Sequence, residues 1–86
     1  MEEVIFGSLE SGGLEIICRG GQYFVRYDAG AHMVAWREDE ISEREVALIR
    51  SGIAAEYEVI LGLQQRLEVT GANPYEQNWV PTKPEP

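Results

Sequence analysis

The longest helical pattern in the chain lies between Ile41 and Gly71. Apolar residues recur there in steps of three, four or seven, which is the spacing of one stripe along a helix. The residues of this predicted stripe are Val46, Ile49, Ile53, Tyr57, Ile60 and Leu67. Ser42 and Glu45 have the spacing of a capping box, so they predict where the helix begins.

Ser51 and Gly52 interrupt this pattern with a helix-stop signal. One helix over residues 43–69 would be roughly 40 Å long at about 1.5 Å a residue, longer than a small sheet can cover. We therefore expect two helices, over residues 43–51 and 53–69, with a single kinked helix as the alternative.

Ahead of the helices, three short apolar segments separated by glycines predict antiparallel strands. These segments are Val4–Leu9, Leu14–Arg19 and Gln22–Asp28. Gly20 and Gly21 suit a two-residue primed turn between the second and third segments. The register that this turn sets pairs Cys18 with Tyr23, Ile17 with Phe24, Ile16 with Val25, and Glu15 with Arg26.

A second turn at Ala29 and Gly30 would place His32, Val34 and Trp36 opposite Tyr27, Val25 and Tyr23. One sheet face then becomes apolar and should receive the helices; its residues are Leu14, Ile16, Cys18, Tyr23, Val25, Tyr27, Val34 and Trp36. The predicted fold class is α+β. An antiparallel meander of three or four strands is followed by one long kinked helix or two helices, packed on one sheet face.

Four apolar residues on the second sheet face, Ile17, Phe24, Met33 and Phe6 beside Ile17, predict a covered surface or a binding surface. The cover is left open between the tail, a second copy of the chain and a partner. Residues 1–71 are predicted to form a single domain, and residues 72–86 an extended or partly disordered tail that holds all four prolines. Within the tail, Tyr75 and Trp79 are candidates for pinning it to the domain.

The chain of 86 residues has 15 acidic residues against 7 basic ones, for a net charge of −8. Because phosphate groups repel such a surface, we expect no direct contact with nucleic acid or with an anionic membrane. A basic protein is the complementary partner, although solubility alone explains acidity equally well. We expect a cytoplasmic protein, since the chain has a single cysteine, no basic leader and no apolar run near the roughly 18 residues of a membrane span.

The densest charge lies in Glu38, Asp39 and Glu40, with Glu43 beyond them. These four acids are predicted to form a solvated segment at the start of the helix, or a face that binds a partner. They lack the interleaved spacing and the glycine of a calcium loop, so no metal site is predicted. His32 and Cys18 have no partners at a catalytic spacing, and neither an enzyme nor a cofactor is expected.

In size, acidity and lack of a catalytic constellation, the chain resembles small acidic inhibitor proteins of bacteria and phages. Toxin immunity proteins and anti-defence inhibitors are examples. This resemblance implies a protein that neutralises a basic partner, such as a nuclease toxin or a nucleic-acid-handling complex, and it assigns no residue a role. The alternative is a homodimeric structural or adaptor protein of phage or operon origin whose interface is the apolar sheet face.

Overall fold

The computed structural model describes residues 2–11, 13–30 and 33–81. Within these residues, four strands form one antiparallel sheet in chain order, followed by two helices, so the predicted α+β architecture is confirmed. The strands are β1 (Glu2–Gly7), β2 (Glu15–Arg19), β3 (Gln22–Asp28) and β4 (Trp36–Ile41). The helices are α1 (Glu43–Arg50) and α2 (Ile53–Val69), and a 3-10 turn, Leu9–Ser11, follows β1.

The first hairpin follows the predicted register. Gly20 and Gly21 have φ values of +59° and +80°, which are the left-handed conformations that a primed turn requires. The four predicted pairs of β2 and β3 residues are all present, including Ile17 opposite Phe24. Glu15 and Arg26 also form the expected cross-strand ion pair, at 3.1 Å.

The predicted second hairpin is wrong in register. Val25 lies opposite Asp39 and Tyr27 lies opposite Arg37, so the fourth strand is the charged segment rather than residues 32–36. The reason is a wider loop, closed by the Asp28 carboxylate, which accepts hydrogen bonds from the N–H groups of Gly30 and Ala35, both at 2.9 Å. His32 lies outside the described residues. Val34 is exposed instead of joining the core.

The helices cover one face of the sheet, hereafter the inner face. Its core contains Leu14, Ile16, Val25, Tyr27, Ala29, Ile41, Val46, Ile49, Val59 and Leu63. The capping box is confirmed, because Glu45 N–H donates to Ser42 Oγ at 3.1 Å and Ser42 N–H donates to Glu45 Oε1 at 2.9 Å. This cap fixes where α1 leaves the end of β4.

The predicted apolar stripe does not continue from α1 into α2. Gly52 separates the two helices with a φ of +152°, and the break changes which side of α2 meets the sheet. Val59 and Leu63 are buried, whereas Ile53 is 84% exposed and Tyr57 is 65% exposed. The predicted stripe was wrong for Ile53 and Tyr57 because it assumed that the helical periodicity of α1 continues through Gly52, which is not helical.

Candidate protein-binding surface

The acidic run lies in β4, where alternate side chains point to opposite faces of the sheet. Glu38 and Glu40 are on the outer face, opposite Arg26 and Phe24 of β3, and Asp39 is on the inner face opposite Val25. The prediction of a solvated acidic segment at the start of the helix is therefore wrong for Glu38 and Asp39. Charge density along the sequence does not show that neighbouring residues of a strand point to opposite faces of the sheet.

Glu38 belongs to an ion-pair network on the outer face. Its Oε2 accepts hydrogen bonds from Arg19 Nη2 at 2.9 Å and from Arg26 Nε at 2.8 Å. Arg26 is itself buried and also pairs with Glu2 at 2.9 Å and with Glu15 at 3.1 Å. Hydrogen bonds from Arg19, and then from Arg26, lower the pKa of Glu2. Glu38 is thus engaged by this chain's own arginines.

The apolar outer face is already covered. Ile17 is 0% exposed and Phe24 is half-buried, with the guanidinium of Arg19 stacked 4.7 Å from the Phe24 ring centre. Trp79 of the tail covers Arg26, whose guanidinium lies 4.4 Å from the indole ring centre. Met33, by contrast, is 82% exposed in the loop before β4, so it does not share a strand face with Ile17 and Phe24 as predicted. The prediction is also wrong for Phe6, which lies opposite Ile16 after an irregularity in β1 and packs against the inner-face core.

Asp39 is the centre of a buried polar cluster on the inner face. Its carboxylate accepts two hydrogen bonds from Arg37, at 2.8 and 2.9 Å, and one from the Tyr27 hydroxyl at 2.9 Å. A fourth comes from Asn78 Nδ2 at 3.3 Å. Burial, and then the negative charge of Asp39, raise the pKa of Tyr27 well above its usual range. A carboxylate with four donors is fully satisfied and is unavailable to a partner.

The tail closes the edge of β4. Asn78 uses its side-chain amide like a strand peptide group: Oδ1 accepts from Glu38 N–H at 2.8 Å, and Nδ2 donates to Glu38 O at 3.2 Å. Its own N–H donates to Trp36 O at 3.1 Å. Arg37 Nη1 donates to the carbonyls of Asn73 and Glu76. The outward backbone groups of Trp36 and Glu38 on this edge strand are therefore paired instead of open to another strand.

Two of the four predicted acidic residues remain exposed. Glu43 lies in the first turn of α1, and Glu40 accepts a hydrogen bond from Gln22 Nε2 at 3.0 Å. Neither has an ion-pair partner within the described part of the chain. Of the candidate acids, these two are therefore free to meet a basic protein.

α2 has an exposed apolar stripe that includes Ile53 and Tyr57, which were predicted to lie on the packed side, and Leu61, which was not predicted to be part of any surface. Ile53, Tyr57 and Leu61 are spaced four residues apart, so they lie along one side of the helix. Leu61 is 40% exposed, and the other two are exposed further. The available signal was that α2 also carries Val59, Ile60, Leu63 and Leu67, so its apolar arc is wider than one packed face requires.

A groove of about 480 Å³ lies between the end of β4 and α2. Its lining residues include Glu40, Glu45, Leu63 and Arg66. Arg66 already pairs with Glu45 at 3.3 Å and donates to the Glu40 carbonyl at 3.3 Å, so a cation has no free carboxylate pair there. Among the described residues, no group of three or more His, Cys, Asp or Glu side chains is arranged to hold a metal ion.

Comparison with protein-family models, curated proteins and solved structures finds no match to this chain. In the residues that the structure describes, no helix is both long enough and apolar enough to cross a membrane.

Proposed function

We propose that this chain is a small acidic protein-binding inhibitor that neutralises a basic partner protein. The observation that carries the proposal is that four of the arginines are in ion pairs within the chain, whereas two of the candidate acids are not. Arg19, Arg26, Arg37 and Arg66 pair with this chain's own carboxylates, whereas Glu40 and Glu43 are exposed without an ion pair in the described residues. A basic protein would meet Glu40 and Glu43 as negative charges that no arginine of the described residues neutralises in an ion pair.

The exposed acids are also held in defined positions. Glu40 is part of β4, and Glu43 lies in the first turn of α1 next to the Ser42 capping box. Because their backbones are already ordered, binding costs less conformational entropy than it would for acids in a flexible segment. Such charges act mainly on the rate of association, and their effect weakens as salt increases.

The alternative function, a homodimeric adaptor whose interface is the apolar sheet face, has less support than the inhibitor. Its proposed interface needed Ile17 and Phe24 to be open, but Ile17 is fully buried and the Arg19 guanidinium lies over the Phe24 ring. Self-association at any other surface would bring together two copies that each carry a charge of −8. That repulsion opposes a dimer most strongly at low salt.

The test is affinity capture from the native host at low salt, with the full chain immobilised and the captured proteins identified. We expect a basic protein that is released by added salt and whose own activity is inhibited by the free chain. The binding variant is Glu40→Lys with Glu43→Lys, which we expect to slow association at least about tenfold. Glu38→Lys is avoided, because it would place a lysine against Arg19 and Arg26.

The matched control carries the same charge change elsewhere, as Glu10→Lys with Glu76→Lys, since both residues are exposed. Equal slowing by both double variants would indicate that only net charge matters and that Glu40 and Glu43 are not the contact. A dimer that is insensitive to salt, with no basic protein captured, would contradict the proposed function.

A further inference from the structure

From the exposed side of α2 we infer the docking site of the partner: Ile53, Tyr57 and Leu61 receive an amphipathic, basic helix of the partner protein. This inference rests on the proposed function and adds to it the docking surface and the structural element that the partner presents. Other large apolar residues are exposed as well, among them Val4, Val34 and Val80, but the three residues of the stripe lie four residues apart along one side of a single helix.

The stripe has the dimensions of a helix-binding surface. Its three side chains span the nine residues 53–61, which is about 12 Å along the helix axis. Residues four apart form a ridge, and such a ridge packs between the side chains of another helix. A second helix would meet it with apolar residues spaced three or four apart, which is a recurring mode of peptide recognition.

The backbone of α2 favours a helix over an extended peptide as the occupant. A strand binds by pairing its peptide groups with an open sheet edge, as Asn78 and the tail already do at β4. The peptide groups within α2 are hydrogen-bonded inside the helix, so the stripe offers only side chains. Recognition there depends on apolar packing and on the charges around it.

Those charges are acidic. Glu56 and Glu58 are the sequence neighbours of Tyr57 and lie on either side of the stripe, and Glu68 is two turns beyond Leu61. The one base of α2, Arg66, has its guanidinium 3.3 Å from Glu45. Lysine or arginine flanking the apolar residues of a partner helix would complement this rim, whereas a second copy of α2 would bring its own acids against it.

The test uses the full chain and three synthetic peptides. The first is a leucine–lysine peptide with helical periodicity, the second has the same composition in scrambled order, and the third replaces lysine by glutamate. Binding is measured at low salt by fluorescence anisotropy and mapped by amide NMR shifts. We expect the periodic basic peptide to bind best and to shift residues 53–61.

The variants Tyr57→Ser and Leu61→Ser should each weaken binding of that peptide at least about tenfold, because central apolar anchors dominate such contacts. The matched control is Val34→Ser, at an exposed apolar residue in the loop before β4 and away from α2, and it should leave binding within about twofold. Equal binding of the scrambled peptide, or full binding by Tyr57→Ser and Leu61→Ser, would overturn the inference.

Failure of this inference can be told from failure of the proposed function. If the basic peptide loses affinity for the charge variants Glu40→Lys and Glu43→Lys but not for the stripe variants, the proposal of a basic partner is supported and the α2 docking site is wrong. Equal binding of the glutamate peptide would contradict a basic partner and so both proposals. Sedimentation of the wild-type chain as a dimer that Leu61→Ser dissociates would assign the stripe to a second copy and overturn the inference.

Discussion

The edge of the sheet at β4 is built from charged residues and is closed, whereas the outer side of α2 is apolar and open. At β4, Glu38 and Asp39 are surrounded by arginines, and the tail pairs with the strand backbone. On α2, Ile53 and Tyr57 face outward without cover in the described residues. The usual placement of charge outside and apolar surface inside is partly reversed in these two regions.

This difference shows which acids are available to a partner. A buried carboxylate with several donors keeps its charge but directs it into the chain, so its contribution to the outward potential is largely cancelled. Glu40 and Glu43 lack that compensation. Exposed charges act mainly on the rate of association, whereas burial of the apolar stripe would stabilise the complex once it has formed.

Among the changes to the closed edge at β4, the largest effect is expected from breaking the Arg37–Asp39 pair. Arg37→Met leaves the buried Asp39 carboxylate without its two arginine hydrogen bonds, and it frees the carbonyls of Asn73 and Glu76. We expect the free energy of unfolding to fall by about 3 kcal/mol, measured by urea denaturation. Arg66→Met is the control, since its pair with Glu45 is more exposed and should cost about 0–1 kcal/mol. Similar losses for both variants would show that β4 is not closed as described.

The sequence predicted those features that depend on local physics. The primed turn at Gly20 and Gly21 and the cap at Ser42 depend on residues close together in the chain, and each was predicted correctly. The position of β4 was not, because it depends on Asp28 closing a loop around Ala35, seven residues away. Alternation along β4 was also hidden, since a run of like charges gives no apolar period.

The candidate site was predicted less well than the fold. Glu40 and Glu43 are exposed as expected, although Glu40 lies in β4 instead of at the start of the helix. The pairing of Glu38 with Arg19 and Arg26 joins three strands and leaves no local pattern in the sequence. Likewise, the side of α2 that faces the sheet depends on the change of direction at Gly52. α2 has apolar residues on more than one side, and the sequence alone does not indicate which side packs against the sheet.

The tail provides the second test of the closed region. Trp79→Ala removes the ring that covers Arg26, and we expect unfolding to become easier by about 1–2 kcal/mol, the value of a partly desolvated cation–π contact. Tyr75→Ala is the matched control in the same tail, because Tyr75 is exposed, and should change stability by about 0.5 kcal/mol or less. Thermal unfolding of both variants decides the matter. Equal melting temperatures would contradict a stabilising role for the tail.

A third test uses the pH dependence of the buried cluster. Tyr27→Phe removes the hydrogen bond to Asp39 and should cost about 1 kcal/mol at neutral pH. The pKa of Tyr27 is raised in the folded state, so above about pH 10 the unfolded chain loses this proton before the folded chain does. Wild-type stability should then fall with rising pH more steeply than that of the variant.

The remaining tyrosines are present in both proteins, so their ionisation largely cancels in this comparison. Urea denaturation between neutral pH and about pH 11 gives the difference directly. A stability gap between wild type and Tyr27→Phe that stays constant across that range would show that the hydroxyl is not held protonated by the cluster.

The smallest effect is expected on the open side. Tyr57→Ser and Leu61→Ser should each change the free energy of unfolding by about 0.5 kcal/mol or less, because neither side chain belongs to the buried core. Leu63→Ala, two residues further along α2, should instead cost about 2–5 kcal/mol, since Leu63 is buried in that core. Urea denaturation of the three variants therefore separates the two sides of one helix. A loss for Tyr57→Ser or Leu61→Ser as large as that for Leu63→Ala would mean that the stripe stabilises the fold, and its exposure would no longer indicate a partner.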